Sequence, residues 1–196
     1  VTNGEYRVKE PGHDSGDFSG RSLNGDRQPV VFVTFADAQA YAEWLTERER
    51  QAGRLPDGLR YRLPTNPEWL TYAQCGDGRT YPWGNEWPPR YGNFTGEEMI
   101  TPQGLGLGIL VGYRDGHPVS CPVEDSGVNE WGLYGVGGNA WEVCASGVDA
   151  KPSFAAWRGA AWSYSNQGNM RCDYLYVSRG GSRGRCGCGF RLLLGR

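Results

Sequence analysis

Two histidines, two methionines and two lysines are all that 196 residues contain of those types, and no stretch approaches the ~20 consecutive apolar residues of a membrane-spanning helix. Neither a histidine-rich metal centre nor a spanning segment is therefore written in the chain. The six cysteines (Cys75, Cys121, Cys144, Cys172, Cys186 and Cys188) include no Cys-x-x-Cys pair, and His13 and His117 stand alone, so spacing gives no zinc site. Internal repeats, linkers and low-complexity tracts are also missing. What is plentiful is glycine (31), proline (12) and aromatic residues (13%). Glycine and proline penalise helix interiors and here stand singly between aromatics, which predicts one loop-rich α+β domain with short elements. Val1 is not an initiator residue, so the sequence reads as the ordered part of something longer.

Net charge is only −2, but it is unevenly placed: residues 1–150 hold 12 cationic and 21 acidic residues, residues 151–196 hold 8 and 1. A basic C-terminal quarter suits phosphate, yet the acidic remainder repels it, and arginine is favoured at protein interfaces for its fork of donors. The expectation is no nucleic-acid partner and a solvated face with local ion pairs. Eighteen of the 20 cations are arginine, read here as a sign of a GC-rich genome or a thermostable protein.

Residues 1–27 read as an irregular polar lead-in anchored by Tyr6, Val8 and Phe18. Pro29–Phe35 is a β-branched and aromatic run that predicts a short strand. Thr34 with Asp37 three residues on is an N-cap pattern. A helix over 35–52 follows from it, with Ala36, Ala40, Tyr41, Trp44 and Leu45 on one face and Gly53 as its stop. Leu59–Leu63 predicts a second strand, and Thr65-Asn-Pro-Glu68 is a capping box opening a second and last helix that runs to Gly76. Short β segments are expected at 81–84, 132–134, 139–143, 157–159 and 189–194. Trp44, Trp69, Trp83, Trp131, Trp141 and Trp162 are read as pillars of core and loops.

Seven motifs in order, Pro29–Ala38, Tyr61-Arg-Leu-Pro-Thr-Asn-Pro-Glu-Trp69, Tyr81-Pro-Trp-Gly84, Asn129-Glu-Trp-Gly-Leu-Tyr134, Gly138-Asn-Ala-Trp-Glu142, Trp157-Arg-Gly159 and Gly189-Phe-Arg191, resemble the formylglycine-generating enzyme (sulfatase-modifying factor) family over almost the whole chain. The resemblance implies a C-type-lectin-like fold, two helices with small twisted sheets and long loops, with further strands ahead of Val1. The family's enzymes hold copper between two cysteine thiolates five residues apart, a task for soft sulfur ligands. Counted along this chain, those positions are Tyr164 and Asn169, and neither Cys172 nor Cys186 and Cys188 fill them. The expectation is a chain that is not an enzyme. Asn93 and Asp115, with the carbonyls of Phe94 and His117, resemble calcium ligands. Gly138, Ala140 and Glu142 resemble a second such set in which Gly135 stands where the family offers a side-chain oxygen. No cofactor is required; a structural calcium at the first set is what the resemblance allows.

Residues 163–188 are rich in Tyr, Ser, Gly, Arg, Asn and Cys and lack Lys, Glu and Trp. That is the composition of a paratope, where tyrosine gives contact area at low entropic cost and Ser, Gly and Asn give adaptable hydrogen bonds. The segment resembles the rewritten stretch in variable proteins of diversity-generating retroelements. Of these 26 residues all but Gln167 and Met170 have codons reachable from asparagine codons randomised at adenine. Residues 158–191 are accordingly read as a variable ligand-binding region. Ser163, Tyr164, Ser165, Asn166, Asn169, Cys172, Asp173, Tyr174, Tyr176, Ser178, Arg179 and Ser182 are its contacts; Met170, Leu175 and Val177 are anchors beneath, and Arg171, Arg179, Arg183 and Arg185 form the basic cluster. The function expected is ligand binding, toward a macromolecule that is most simply a protein. The alternatives are an oxidase of the sulfatase-modifying type and a carbohydrate-binding lectin.

Overall fold

Three threonines open three helices by the same device. In the computed structural model, which describes residues 1–99, 108–145, 154–179 and 187–196, Thr2, Thr34 and Thr65 each accept from the N–H three residues on, while Glu5, Asp37 and Glu68 reach back to the cap N–H. The helices are α1 (Asn3–Arg7), α2 (Phe35–Gln51) and α3 (Asn66–Ala73). Helix α2 ends where expected, with Gly53 at φ 67° after the Ala52 cap. The cap of α3 is reinforced: the Arg62 guanidinium, then the Thr65 N–H, hold the Glu68 carboxyl down at about 2. Its folded-state value lies below the unfolded one, so this stabilisation is present above the ordinary carboxylate range and is lost as pH falls toward 2.

The strands are short. A hairpin pairs β1 (Asp17–Phe18) with β2 (Arg21–Ser22) through Ser19 and Gly20, both at positive φ. Strand β3 (Arg60–Arg62) pairs antiparallel with the last strand, β8 (Leu193–Gly195), which ties the far end of the chain to the segment between α2 and α3. The main sheet has the order β6-β5-β4-β7: β4 (Trp141–Cys144) lies antiparallel to β5 (Phe154–Arg158) and parallel to β7 (Cys188–Gly189), and β6 (Tyr176–Arg179) adds to the outside of β5. Trp69, Trp141, Trp157 and Trp162 are fully buried around this sheet. The whole is the mixed α+β, C-type-lectin-like arrangement.

Several expectations give way. The run Pro29–Phe35 is not a strand: Phe32 sits at φ 58° and only the isolated bridge Thr2↔Pro29 forms, although Val30, Val31 and Val33 are core residues. The lead-in contains α1 and the first hairpin. Residues 81–84 and 132–134 make only isolated bridges, and the expected C-terminal run splits into β7 and β8. Trp131 is 53% exposed and no pillar, and Trp44 is half-buried.

Trp162 is 1% exposed and packs edge-on against Phe18 with centroids 4.9 Å apart. Trp162→Ala is expected to cost about 3–5 kcal/mol in a urea titration, whereas Trp131→Ala should cost about 1 kcal/mol or less. Similar losses at the two positions would mean that the core boundary is drawn wrongly.

Candidate functional site

The chain leaves β5 through Gly159 (φ 94°) and Ala160 (φ 62°), and a Cβ on Gly159 would fall 2.8 Å from the Val136 carbonyl oxygen. Beyond this turn, residues 163–179 run across the sheet and return as β6. A 3₁₀ turn over Gln167–Met170 is capped by the Asn166 side chain, which accepts from the Gly168 N–H.

The segment is attached mostly through its main chain. Arg158, 8% exposed, donates from Nη1 to the carbonyls of Cys172 (3.0 Å) and Tyr174 (3.3 Å) and from Nε to Asn66 Oδ1 (3.1 Å), while its guanidinium lies over the Trp69 ring. The Cys172 N–H donates to the Thr80 carbonyl (2.8 Å), the Thr95 N–H to the Tyr164 carbonyl (3.0 Å), and the Thr95 hydroxyl to the Trp162 carbonyl (3.0 Å). Sequence reading missed Arg158, Thr80 and Thr95 as holders of this segment. The first lies inside Trp157-Arg-Gly159, which was visible as a motif but carried no sign of what it holds.

The side chains divide. Asn166, Arg171 and Asp173 are exposed, and Arg171 and Asp173 form a local two-point ion pair at 2.7 and 2.8 Å. Ser163, Ser165 and Asn169 are half-buried. Tyr164, Tyr174 and Tyr176 are half-buried too, because each packs against Trp141: centroids lie 5.1, 5.9 and 5.8 Å from that ring, with Tyr164 edge-on at 89°. Ser178 accepts from Trp157 Nε1 at 2.9 Å. Cys172 is fully buried and cannot contact a ligand, since its N–H is tied to Thr80 and its thiol lies in the core beside Trp69 and Tyr72. Val177, expected as an anchor, is 39% exposed, Leu175 is half-buried, and Met170 is buried as expected. Arg179 lies in β6; Ser182, Arg183, Arg185 and Cys186 lie outside the described residues.

The thiols of Cys121, Cys144 and Cys172 are free and pushed up to about 12 by burial, the reverse of the shift that creates a metal-binding thiolate. Glu142 accepts from Trp69 Nε1 (2.8 Å), Tyr72 Oη (3.3 Å) and Arg191 Nε (2.9 Å). A guanidinium thus sits on the carboxylate that the second calcium set would need, and those residues do not fit a cation. The first set differs. Asn93 is fully buried, its amide nitrogen donates to the Val119 carbonyl and to Asn139 Oδ1, and its own Oδ1 has no partner. Asp115 accepts from the Phe94 and His117 N–H groups at 2.8 and 2.9 Å, and its carboxyl is pushed up to about 7, mainly by burial. An orphaned amide oxygen beside a buried carboxylate is a donor set of hard oxygens, which fits calcium.

The described residues include no helix long and apolar enough to cross a membrane. The profile of the sulfatase-modifying factor enzyme 1-like domain matches residues 1–194. A formylglycine-generating enzyme of Thermomonospora curvata is 34% identical over 146 residues, 74% of this chain and 39% of that protein. The inactive Cα-formylglycine-generating enzyme 2 of Bos taurus is 33% identical over 157 residues, 79% and 45% of the two chains. The chain thus spans less than half of these relatives. Among solved structures, PvdO from Pseudomonas aeruginosa has a TM-score of 0.69 at 22% identity, covering 98% of this chain and 76% of its own. Treponema denticola variable protein 1 has 0.67 at 18%, covering 98% and 81%. The chain belongs to the sulfatase-modifying factor enzyme 1-like, or formylglycine-generating enzyme, family.

Proposed function

We propose that this chain is a non-enzymatic binding protein, a lectin-like frame that presents a diversified C-terminal surface to a macromolecular ligand, most simply a protein. The observation that carries the reading is the attachment of residues 163–179. Arg158, Thr80 and Thr95 hold carbonyl and amide groups that every residue type but proline has, so the exposed side chains at 166, 171 and 173 are free to change while the path stays fixed. Composition supports it, since ten of the fourteen exposed and half-exposed positions carry Tyr, Ser, Asn, Asp or Arg, the others being Gln167, Gly168, Leu175 and Val177. The three tyrosines, backed by Trp141, act as rigid anchors with their outer edges toward the ligand. Calcium at Asn93 and Asp115, with the carbonyls of Phe94 and His117, is part of the same proposal, as a structural ion.

The identity to formylglycine-generating enzymes favours a second reading, copper-dependent oxidation of a substrate cysteine. Against it stand Tyr164 and Asn169 at the two positions assigned to thiolates, because neither a phenol nor an amide replaces soft sulfur toward Cu(I). The purified chain, loaded with Cu(I) and given a cysteine peptide under oxygen, is expected to yield no formylglycine by mass spectrometry; its formation would overturn the binding-protein reading. The display reading is checked in DNA: a near-copy of the codons for residues 158–191, with adenines at the variable positions, should lie beside a reverse transcriptase gene, and its absence from the genome counts against diversification.

The attachment itself is tested by stability. Arg158→Met leaves the Cys172 and Tyr174 carbonyls without their donor and should cost about 3 kcal/mol or more, at about 1–3 kcal/mol per buried group left unpaired. The double change Arg171→Ser with Asp173→Ser should stay within about 1 kcal/mol of wild type, the pair being exposed. The reverse order in a denaturant titration would place the load on side chains instead of main chain.

A further inference from the structure

A cavity of about 420 Å³, large enough for a small organic molecule, lies between α1, the loop that follows it and the start of α2. The carboxylates of Glu10, Asp14 and Asp37 line it, and no lysine or arginine does. Each is engaged through one oxygen only. Glu10 Oε1 accepts from Lys9 Nζ (2.5 Å), Asp14 Oδ1 from the Gly16 N–H (2.7 Å) and the Asn24 amide, and Asp37 Oδ2 from the Thr34 N–H (2.8 Å) and hydroxyl. Among the described residues, Glu10 Oε2, Asp14 Oδ2 and Asp37 Oδ1 therefore receive no donor. His13 brings no balancing charge, because burial lowers its pKa below the usual histidine value and its Nε2 lies 3.0 Å from the Val31 carbonyl oxygen. Tyr6 is a second and independent mark. It is only 4% exposed, yet its hydroxyl has no hydrogen-bond partner among the described residues, whereas the hydroxyl of Tyr41, stacked on it, donates to the Glu5 carbonyl (3.2 Å). A buried tyrosine hydroxyl ordinarily finds a partner. This one lies beside two acids of the cavity that its ring lines: burial, then the Asp37 and Glu10 carboxylates, push it up to about 12.

We propose that this cavity binds an organic ammonium group, with its nitrogen toward the Tyr6 hydroxyl and the nearest free carboxylate oxygens and its hydrocarbon stem against Phe32. An ammonium has three donors and no acceptor, which is what a wall of unclaimed acceptors lacks. A metal ion fits less well. No three His, Cys, Asp or Glu side chains among the described residues are grouped closely enough to hold one, so the free oxygens are spread over a wider space. An anion would meet three carboxylates, and a neutral molecule would leave their charge unanswered. Phe32 gives the cation or its stem an aromatic wall. The mouth is open at Gly12, where a Cβ would meet nothing within 4 Å. All the lining residues lie between 6 and 37, so the site is separate from the segment 163–179 and does not depend on what that segment binds.

The test uses the whole chain and three probes, n-pentylammonium chloride, n-pentanol and Nα-acetyl-lysine N-methylamide, titrated at one ionic strength while the amide signals of His13 and Phe32 are followed by NMR. Pentylammonium is expected to shift both signals to saturation, and pentanol at equal concentration to leave them in place. Glu10→Gln should weaken pentylammonium about threefold, the worth of one exposed charge pair. Tyr6→Phe, which removes only the hydroxyl, should weaken it about fivefold. Gly12→Leu, whose side chain enters the open mouth, should abolish the shifts at an unchanged melting temperature. Blocked lysine that binds as tightly as pentylammonium supports the proposal with a polypeptide as the source of the ammonium, and binding of the free amine alone supports it with a small amine as the source. A wild-type chain that pentylammonium does not shift, or that binds pentanol as tightly, overturns the proposal. So does a Gly12→Leu chain that still binds pentylammonium. Wild-type affinity in both Glu10→Gln and Tyr6→Phe overturns the placement of the nitrogen and the proposal with it.

Discussion

A guanidinium taken out of water must be given acceptors, and the path of residues 159–179 follows from how Arg158 obtains its own. Burial drives its pKa down from the usual arginine value, and its Nη1 and Nε are met by two main-chain carbonyls and one amide oxygen instead of a carboxylate. Carbonyl acceptors leave the net charge in place while satisfying the hydrogens, and Asp173 contributes at longer range. The result fixes where Cys172 and Tyr174 stand. From there the chain turns at the Arg171–Tyr174 hydrogen bond and enters β6 against β5, so that one framework side chain determines the course of the segment without reading its sequence.

The core and the segment 163–179 meet at Trp141. Its ring is buried, and three tyrosines of the segment lean on it. Substituting them removes packing as well as contact area, so the surface is not a blank that tolerates anything. Serine, asparagine and aspartate between the tyrosines lie at the positions that carry little burial. A tyrosine half-covered on an aromatic floor has lost most of its side-chain freedom before a ligand arrives, which is the condition under which aromatic contacts yield affinity at low entropic cost.

Sequence made α2 and α3 legible because their signals are local, each capping box spanning four residues and the face of α2 repeating at helical spacing, whereas α1, opened by the same box at Thr2 and Glu5, is a short helix inside a polar stretch that reads as irregular. The Pro29–Phe35 run misled because its β-branched residues are indeed buried, while the left-handed Phe32 that breaks the strand leaves no mark in composition. Strand β6 was hidden for the opposite reason, since Tyr-Val-Ser-Arg at a sheet edge looks like a polar surface. Cys172 has the polar neighbours of a contact residue, although a single cysteine in a polar run is as readily the one residue turned inward. Asn93 and Asp115 came through family resemblance, not spacing. Glu97 and Glu98 read alike in sequence, and only the fold separates them: Glu97 reaches Arg114 at the surface while both carboxylate oxygens of Glu98 are buried.

The same division applies to charge. The C-terminal quarter is basic by count, but count does not say which cations face a partner. Arg158 serves the frame, Arg191 sits on Glu142 beside Trp69 and Tyr72, and Arg171 is matched by Asp173. A phosphate-binding face needs several unengaged cations aligned along one surface, whereas these three each have a defined task or a local partner. Of the eight cations in residues 151–196, Arg158 and Arg191 serve the interior and Arg171 is matched at the surface by Asp173. Under the binding role proposed above, recognition would then rest on aromatic and hydrogen-bonding contacts more than on a cationic face.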